Sequence, residues 1–224
     1  DNLFKCTISM ISALAESRNV PAVKTLYLAC LDESLKTAKD MGIHSLGEAK
    51  TYGLTLVLGG GEVSLLDMTS AYGVFANEGV RMQPTPVLTV TDKDGKIIEE
   101  YKEESVQVIP KNVALQISDV LSDNNARIPT FGANSPLYFA GRDVAAKTGT
   151  TNDNRDAWVM GYTPTIAVGA WSGNSDNSKM TKGGSAVSGP LWHAFMAEAL
   201  KTMPNEQFEE PNQPENYSSL KPVL

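Results

Sequence analysis

Residues 145–173 read AAKTGTTNDNRDAWVMGYTPTIAVGAWSG, and three strand-like runs stand in it: AAKTG, DAWVMGYTP and TIAVGAWSG. The polar turn TNDNRD parts the first two, and Thr163-Pro164 parts the second from the third. Connections this short join antiparallel neighbours, because a parallel pair needs a crossover of a dozen or more residues. The stretch therefore predicts an antiparallel sheet, and the rest of the chain must cover it.

Upstream, the sequence predicts helices. Thr7 or Ser9 can cap a helix running through Arg18, with Ile8, Ile11, Leu14 and Ala15 at helical spacing. A second begins near Pro21, where proline is tolerated at the first helical position, and Asp32 can cap a third that ends at Gly42. Ser17, Arg18 and Asn19 then fall between two helices. The triplet Gly59-Gly60-Gly61 lacks the lysine of a phosphate-binding loop and reads as a flexible lead into a helix capped by Ser64, with Asp67 three residues on. Leu65, Met68, Tyr72 and Phe75 form that helix's apolar stripe, and Gly79 stops it. Residues 86–102 predict a hairpin around Lys93-Asp94-Gly95, followed by a helix over 111–122 and a Pro-, Gly- and Asn-rich loop through Pro136. A last helix is expected near Pro190 with Ser188 as its cap. The fold class is α+β: an antiparallel sheet with helices packed on it. Residues 1–203 are expected to form this unit, and the Pro-, Asn- and Glu-rich residues 204–224 a disordered tail.

Composition narrows the function. A net charge of −7 argues against nucleic acid, whose phosphates call for surplus Lys and Arg. No apolar run approaches the roughly 20 residues that span a bilayer. Cys6 and Cys30 stand in no metal-ligand spacing, His44 and His193 lie in no HExxH pattern, and no GxSxG elbow is present. None of these residues offers a metal-ligand pattern.

Lys147-Thr148-Gly149-Thr150 carries the chemistry. On a strand, Lys147 and Gly149 face one way and Thr148 and Thr150 the other. Gly149 lets a ligand lie close to the backbone, free N–H groups at a cleft can donate to a developing oxyanion, and an ammonium with a nearby hydroxyl can hold a carboxylate. This is a wall suited to acyl transfer.

KTG belongs, with S-x-x-K and S-x-N, to the motif set of β-lactamases and penicillin-binding proteins. The run VAAKTGTTNDNRDAWVMGYTPTIAVGAWSGN closely resembles the transpeptidase domain of class A (bifunctional) penicillin-binding proteins. So do ISALAESRNVPAVKTLYLA, YGLTLVLGGGEVSLLDMTSAYGVFANEG and LSDNNARIPTFG, in the family's order over most of residues 3–200. The resemblance implies the penicillin-binding protein/β-lactamase-like (serine acyltransferase) fold, here incomplete at the N-terminus. Of four S-x-N matches, it assigns the motif to Ser17 and Asn19. Ser122-Asp123-Asn124, Ser172-Gly173-Asn174 and Ser175-Asp176-Asn177 read as turn and capping residues. Ser17 would relay a proton, Asn19 bind the acyl donor's amide and Lys147 supply positive charge. Thr148 and Thr150 would hold the substrate carboxylate, with Gly149 between them and the Thr150 N–H in the oxyanion hole.

One motif departs from the family. Its nucleophile is the serine of SxxK, upstream of SxN, and no SxxK precedes Ser17 here. The match Ser218-Ser219-Leu220-Lys221 lies in the tail, out of order, where nothing predicts the fixed geometry that nucleophilic catalysis needs. The expectation is the C-terminal portion of a D,D-transpeptidase whose nucleophile lies on an upstream segment, beside a glycosyltransferase domain. The parent would be membrane-anchored at the extracytoplasmic face, with peptidoglycan stem peptides and β-lactams as its ligands. A D,D-carboxypeptidase or β-lactamase relative, and a non-catalytic binding or scaffolding module, stay open as alternatives.

Overall fold

A computed structural model of the chain describes residues 7–212. Its centre is the predicted sheet, β5 (Ala145–Thr150), β6 (Asp156–Tyr162) and β7 (Ala167–Gly173), in the order β5-β6-β7 and antiparallel throughout. Lys147 pairs with Met160 and Thr150 with Ala157, so β5 is an edge strand. Two short antiparallel pairs accompany it: β1 (Val80–Met82) with β4 (Ser105–Gln107), and β2 (Thr89–Thr91) with β3 (Ile97–Glu100). The second pair is the predicted hairpin; the first went unread, its strands being three residues each.

The helices are α1 (Met10–Ala15), α2 (Asn19–Ala29), α3 (Leu31–Asp40), α4 (Ala49–Tyr52), α5 (Leu65–Ala76), α6 (Lys111–Ser122), α7 (Asn124–Phe131) and α8 (Gly184–Ala199). α8 covers one face of the sheet, burying Trp192 and Met196 against Ala146, Val159, Val168 and Ala170. Ala145 and Tyr162 face the other way, where Leu121 of α6 and Tyr72 and Phe75 of α5 pack on them. Alternation thus sorts β5: even residues toward α8, odd residues toward α1, α5 and α6. Ser64 caps α5 as expected, its hydroxyl accepting the Asp67 N–H at 3.0 Å.

Several boundaries differ from expectation for physical reasons. α1 is capped by Ser9 and stops at Ala15, not Arg18. α2 starts at Asn19, and Pro21 sits in its first turn, where helix N–H groups have no intrahelical acceptor to lose. Cys30, at a positive φ of 65, joins α2 directly to α3, so Asp32 lies within the first turn and does not cap. The expected loop through Pro136 contains α7, capped by Asp123 through the Ala126 N–H and held by the buried Arg127 guanidinium, which donates to the Leu121 carbonyl at 2.8 Å. α8 begins at Gly184, so Ser188 is an interior residue. It is fully buried, and its hydroxyl donates to the Ala157 carbonyl at 2.7 Å.

Beyond α8 the chain runs without helix or strand through Asn212, yet it is pinned. Arg142 donates to the carbonyls of Leu200, Met203 and Pro204, Phe208 packs edge-on to Tyr162, and Asn112 exchanges hydrogen bonds with the Asn212 backbone. Cys6 and the Ser218–Lys221 match lie outside the described residues.

Candidate active site

The C-terminus of α1 sets the geometry. The Ser17 N–H donates to the Leu14 carbonyl and the Arg18 N–H to the Ala13 carbonyl, the paired bonds of a Schellman motif. That motif places its penultimate residue in the left-handed region, a position normally given to glycine, and here Ser17 occupies it at φ 57. The flanking residues hold the turn. Glu16 is buried, and the Arg18 guanidinium grips its carboxylate from Nε and Nη2 at 3.0 and 2.7 Å. Thr130 of α7 donates to the Glu16 carbonyl. A residue held off its preferred conformation by surrounding contacts is a mark of a functional position.

β5 brings Lys147 to this turn. Its Nζ donates to Ser17 Oγ at 2.7 Å and to the Thr148 carbonyl at 2.7 Å. Burial lowers the Lys147 pKa from 10.5 to about 8, and among the described residues no carboxylate lies within ion-pair distance. A desolvated ammonium without a counter-ion is a receptor for an anion. Its low pKa also lets it hold or release a proton near neutrality.

The second bond reveals how the strand edge is turned. The N–H and C=O of one strand residue point to the same side, and successive residues point to opposite sides. The Thr151 N–H bonds inward to the Asp156 carbonyl, while the Thr148 carbonyl faces Lys147. Thr148 and Thr150 therefore direct backbone N–H and C=O to the free edge. Thr150 is exposed, and its hydroxyl accepts the Gly184 N–H at 2.8 Å; Thr148 and Gly149 are partly buried. Beyond the strand, Asp156 ties the turn by accepting from the Thr151 hydroxyl at 2.7 Å and the Trp171 indole at 3.0 Å.

The structure thus joins Ser17, Lys147, Thr148, Gly149 and Thr150 in one wall. Asn19 is the first residue of α2 and exposed, on the same junction but not between helices. The three other S-x-N matches stand apart: Ser122 closes α6, Asp123 caps α7, and Asn174–Asn177 form a turn after β7. The sequence reading missed the Glu16–Arg18 grip and the approach of Gly184 to Thr150. The first carries no sequence signal beyond opposite charges either side of a serine. The second was signalled by Gly183-Gly184 ahead of an apolar helix. A cleft of about 510 Å³ lies elsewhere, lined by Asp32, Leu35 and residues 47–50, and holds none of the wall residues. Among the described residues no three His, Cys, Asp or Glu side chains converge as metal ligands.

An antiparallel sheet clad by helices on both faces, with Lys-Thr-Gly-Thr on its edge strand and a serine from a helix junction bonded to that lysine, has the architecture of the penicillin-binding protein/β-lactamase class. Comparison with known proteins makes this specific. The chain belongs to the penicillin binding protein transpeptidase domain family, whose sequence model matches residues 4–197. It is 35% identical over 211 residues to penicillin-binding protein 1A of Aquifex aeolicus, covering 93% of this chain and 28% of that protein. It is 31% identical over 210 residues to penicillin-binding protein 2D of Bacillus subtilis, covering 91% of this chain and 30% of that protein. The chain therefore spans less than a third of the length of these curated relatives. Among solved structures, it superposes with a TM-score of 0.83 at 26% identity on the penicillin-binding protein PonA1 of Mycobacterium tuberculosis, covering 100% of this chain and 64% of that one. The PonA1 structure in complex with penicillin V gives 0.80 at 28% identity, covering 94% and 61%.

Proposed function

We propose that this chain supplies the carboxylate-binding and proton-relay wall of a peptidoglycan D,D-transpeptidase that is also acylated by β-lactams. The observation that carries the reading is the half-buried Lys147 ammonium, which among the described residues has no carboxylate within ion-pair distance and is bonded to Ser17 at 2.7 Å. In the proposed reaction a serine hydroxyl, contributed by an SxxK segment upstream in the same protein, attacks the penultimate D-Ala carbonyl and passes its proton to the Ser17–Lys147 relay. The carbonyl oxygen takes negative charge opposite the Thr150 N–H. The peptide C–N bond then breaks, the Ser17–Lys147 pair delivers a proton to the departing amine, and the terminal D-Ala leaves. An amine from a neighbouring stem peptide attacks the ester, releasing the serine with its proton and closing the cross-link. Lys147 and the hydroxyls of Thr148 and Thr150 hold the terminal carboxylate, and Asn19 binds the acyl donor's amide. The parent protein acts at the extracytoplasmic face of the cell membrane, beside a glycosyltransferase domain.

The test is the rate of penicillin acylation of a polypeptide carrying this chain together with its SxxK segment. Lys147→Ala and Ser17→Ala are each expected to slow it by about 100-fold or more, the usual loss on removing a positioned proton-transfer group. Rates within threefold of the parent for both variants would overturn the reading.

A further inference from the structure

α8 starts against the side of β5. The Gly184 N–H donates to Thr150 Oγ1 at 2.8 Å. A β-carbon at Gly184 would fall 2.5 Å from the Gly149 carbonyl oxygen, 2.9 Å from Thr150 Oγ1 and 3.2 Å from the Trp158 carbonyl oxygen. One at Gly183 would fall 2.8 Å from Thr150 Cγ2 and 3.0 Å from Asn154 Oδ1. Backbone oxygens in a sheet cannot swing aside as a flexible side chain can. Gly183 has φ −99 and ψ −171, extended backbone open to any residue, so close approach and not conformation requires glycine here.

The contact inverts the usual cap. The first N–H groups of a helix have no intrahelical acceptor and are commonly met by the side chain just before it. Gly183 has no side chain, and the acceptor comes instead from a strand residue 34 positions away. The consequence falls on Thr150. A hydroxyl has one proton and two lone pairs. With one lone pair fixed by an N–H at the positive end of a 16-residue helix, the proton is turned away from α8, and the helix dipole makes it a better donor to an anion. Thr150 is exposed and lies on the edge that carries Lys147.

We propose that Gly184 is a positioning residue for carboxylate recognition: its N–H locks the Thr150 hydroxyl as an outward donor, and the absence of side chains at Gly183 and Gly184 is what lets α8 reach it. The inference rests on the reading of Thr150 as a carboxylate ligand.

The experiment compares acylation by benzylpenicillin and by its methyl ester, using the chain together with its SxxK segment. A ratio of rates isolates carboxylate recognition from general damage. Thr150→Val and Gly184→Ala are each expected to lower the acid-to-ester ratio about tenfold, as loss of one hydrogen bond to a charged group does. Thr150→Ser should keep the ratio, and the double variant should fall no further than Thr150→Val alone. A ratio unchanged by Gly184→Ala, with both rates reduced equally, overturns the inference while a drop in Thr150→Val leaves the proposed function standing. A parent ratio near one overturns both. Because Gly184→Ala risks misfolding, amide exchange of Gly184 in the 224-residue chain gives a second reading. Protection retained in Thr150→Ser and lost in Thr150→Val supports the bond, and equal protection in both refutes it.

Discussion

Replacing Lys147 with methionine should make the protein more stable at neutral pH while abolishing its proposed activity. The pKa falls from 10.5 to about 8 on folding, through burial alone. At about 1.4 kcal/mol per tenfold change, that drop costs the folded state roughly 3 kcal/mol while the amine is charged. The open side of the site admits water, and screening trims the cost to about 2 kcal/mol. Methionine fills the same volume without the charge but forfeits the bonds to Ser17 and the Thr148 carbonyl, worth about 1 kcal/mol net. The expected gain at pH 7 is about 1 kcal/mol, or about 2–4 °C in Tm for a domain of this size. The pH dependence fixes the cause. Between pH 8 and 10.5 the unfolded chain holds the Lys147 proton and the folded chain does not, so wild-type stability rises with pH across that window. The difference between variant and wild type should shrink by about 2 kcal/mol from pH 7 to pH 10.5 and change sign. Urea denaturation of both proteins at the two pH values measures it. A methionine variant less stable at pH 7, or a difference that ignores pH, would refute the account of Lys147.

At Ser17, glycine relieves the left-handed φ of 57 while alanine keeps the strain, and both lose the bond to Lys147. Ser17→Gly should be more stable than Ser17→Ala by about 1 kcal/mol in urea, and equal stabilities would show that the turn is unstrained. Gly161→Ala drives a methyl toward the Ala145 carbonyl, 2.7 Å away, and into the buried Trp192 indole, so it should cost about 1–3 kcal/mol by denaturant melt. Phe208→Ala should cost about 2 kcal/mol in the same assay, because Phe208 packs on Tyr162 from a segment that composition alone marks as loose.

These sites also show where the sequence was readable. β5, β6 and β7 were legible because short turns, alternation and apolar runs are local signals, and Ser64 was legible because its partner is three residues away. α8 was read six residues late because Ser188 and Pro190 resemble a helix start. The true start has no local cap, since its acceptor sits on β5. α7 was hidden by Pro129 and Gly132, which punctuate loops elsewhere but are overruled here by the Asp123 cap and the buried Arg127. The K-T-G and S-x-N motifs placed Lys147 and Ser17 in one site from the sequence. That the serine is left-handed, gripped between Glu16 and Arg18, and bonded to the lysine required the packing of α1 against α6 and α7.

Intact-mass spectrometry after incubation with penicillin tests the central claim most directly, on the 224-residue chain alone and on the same chain extended by its SxxK segment. A covalent adduct on the extended protein only is the predicted result, with Lys147 and Ser17 completing a site whose nucleophile comes from upstream. An adduct on the 224-residue chain alone, or on neither protein, would contradict it.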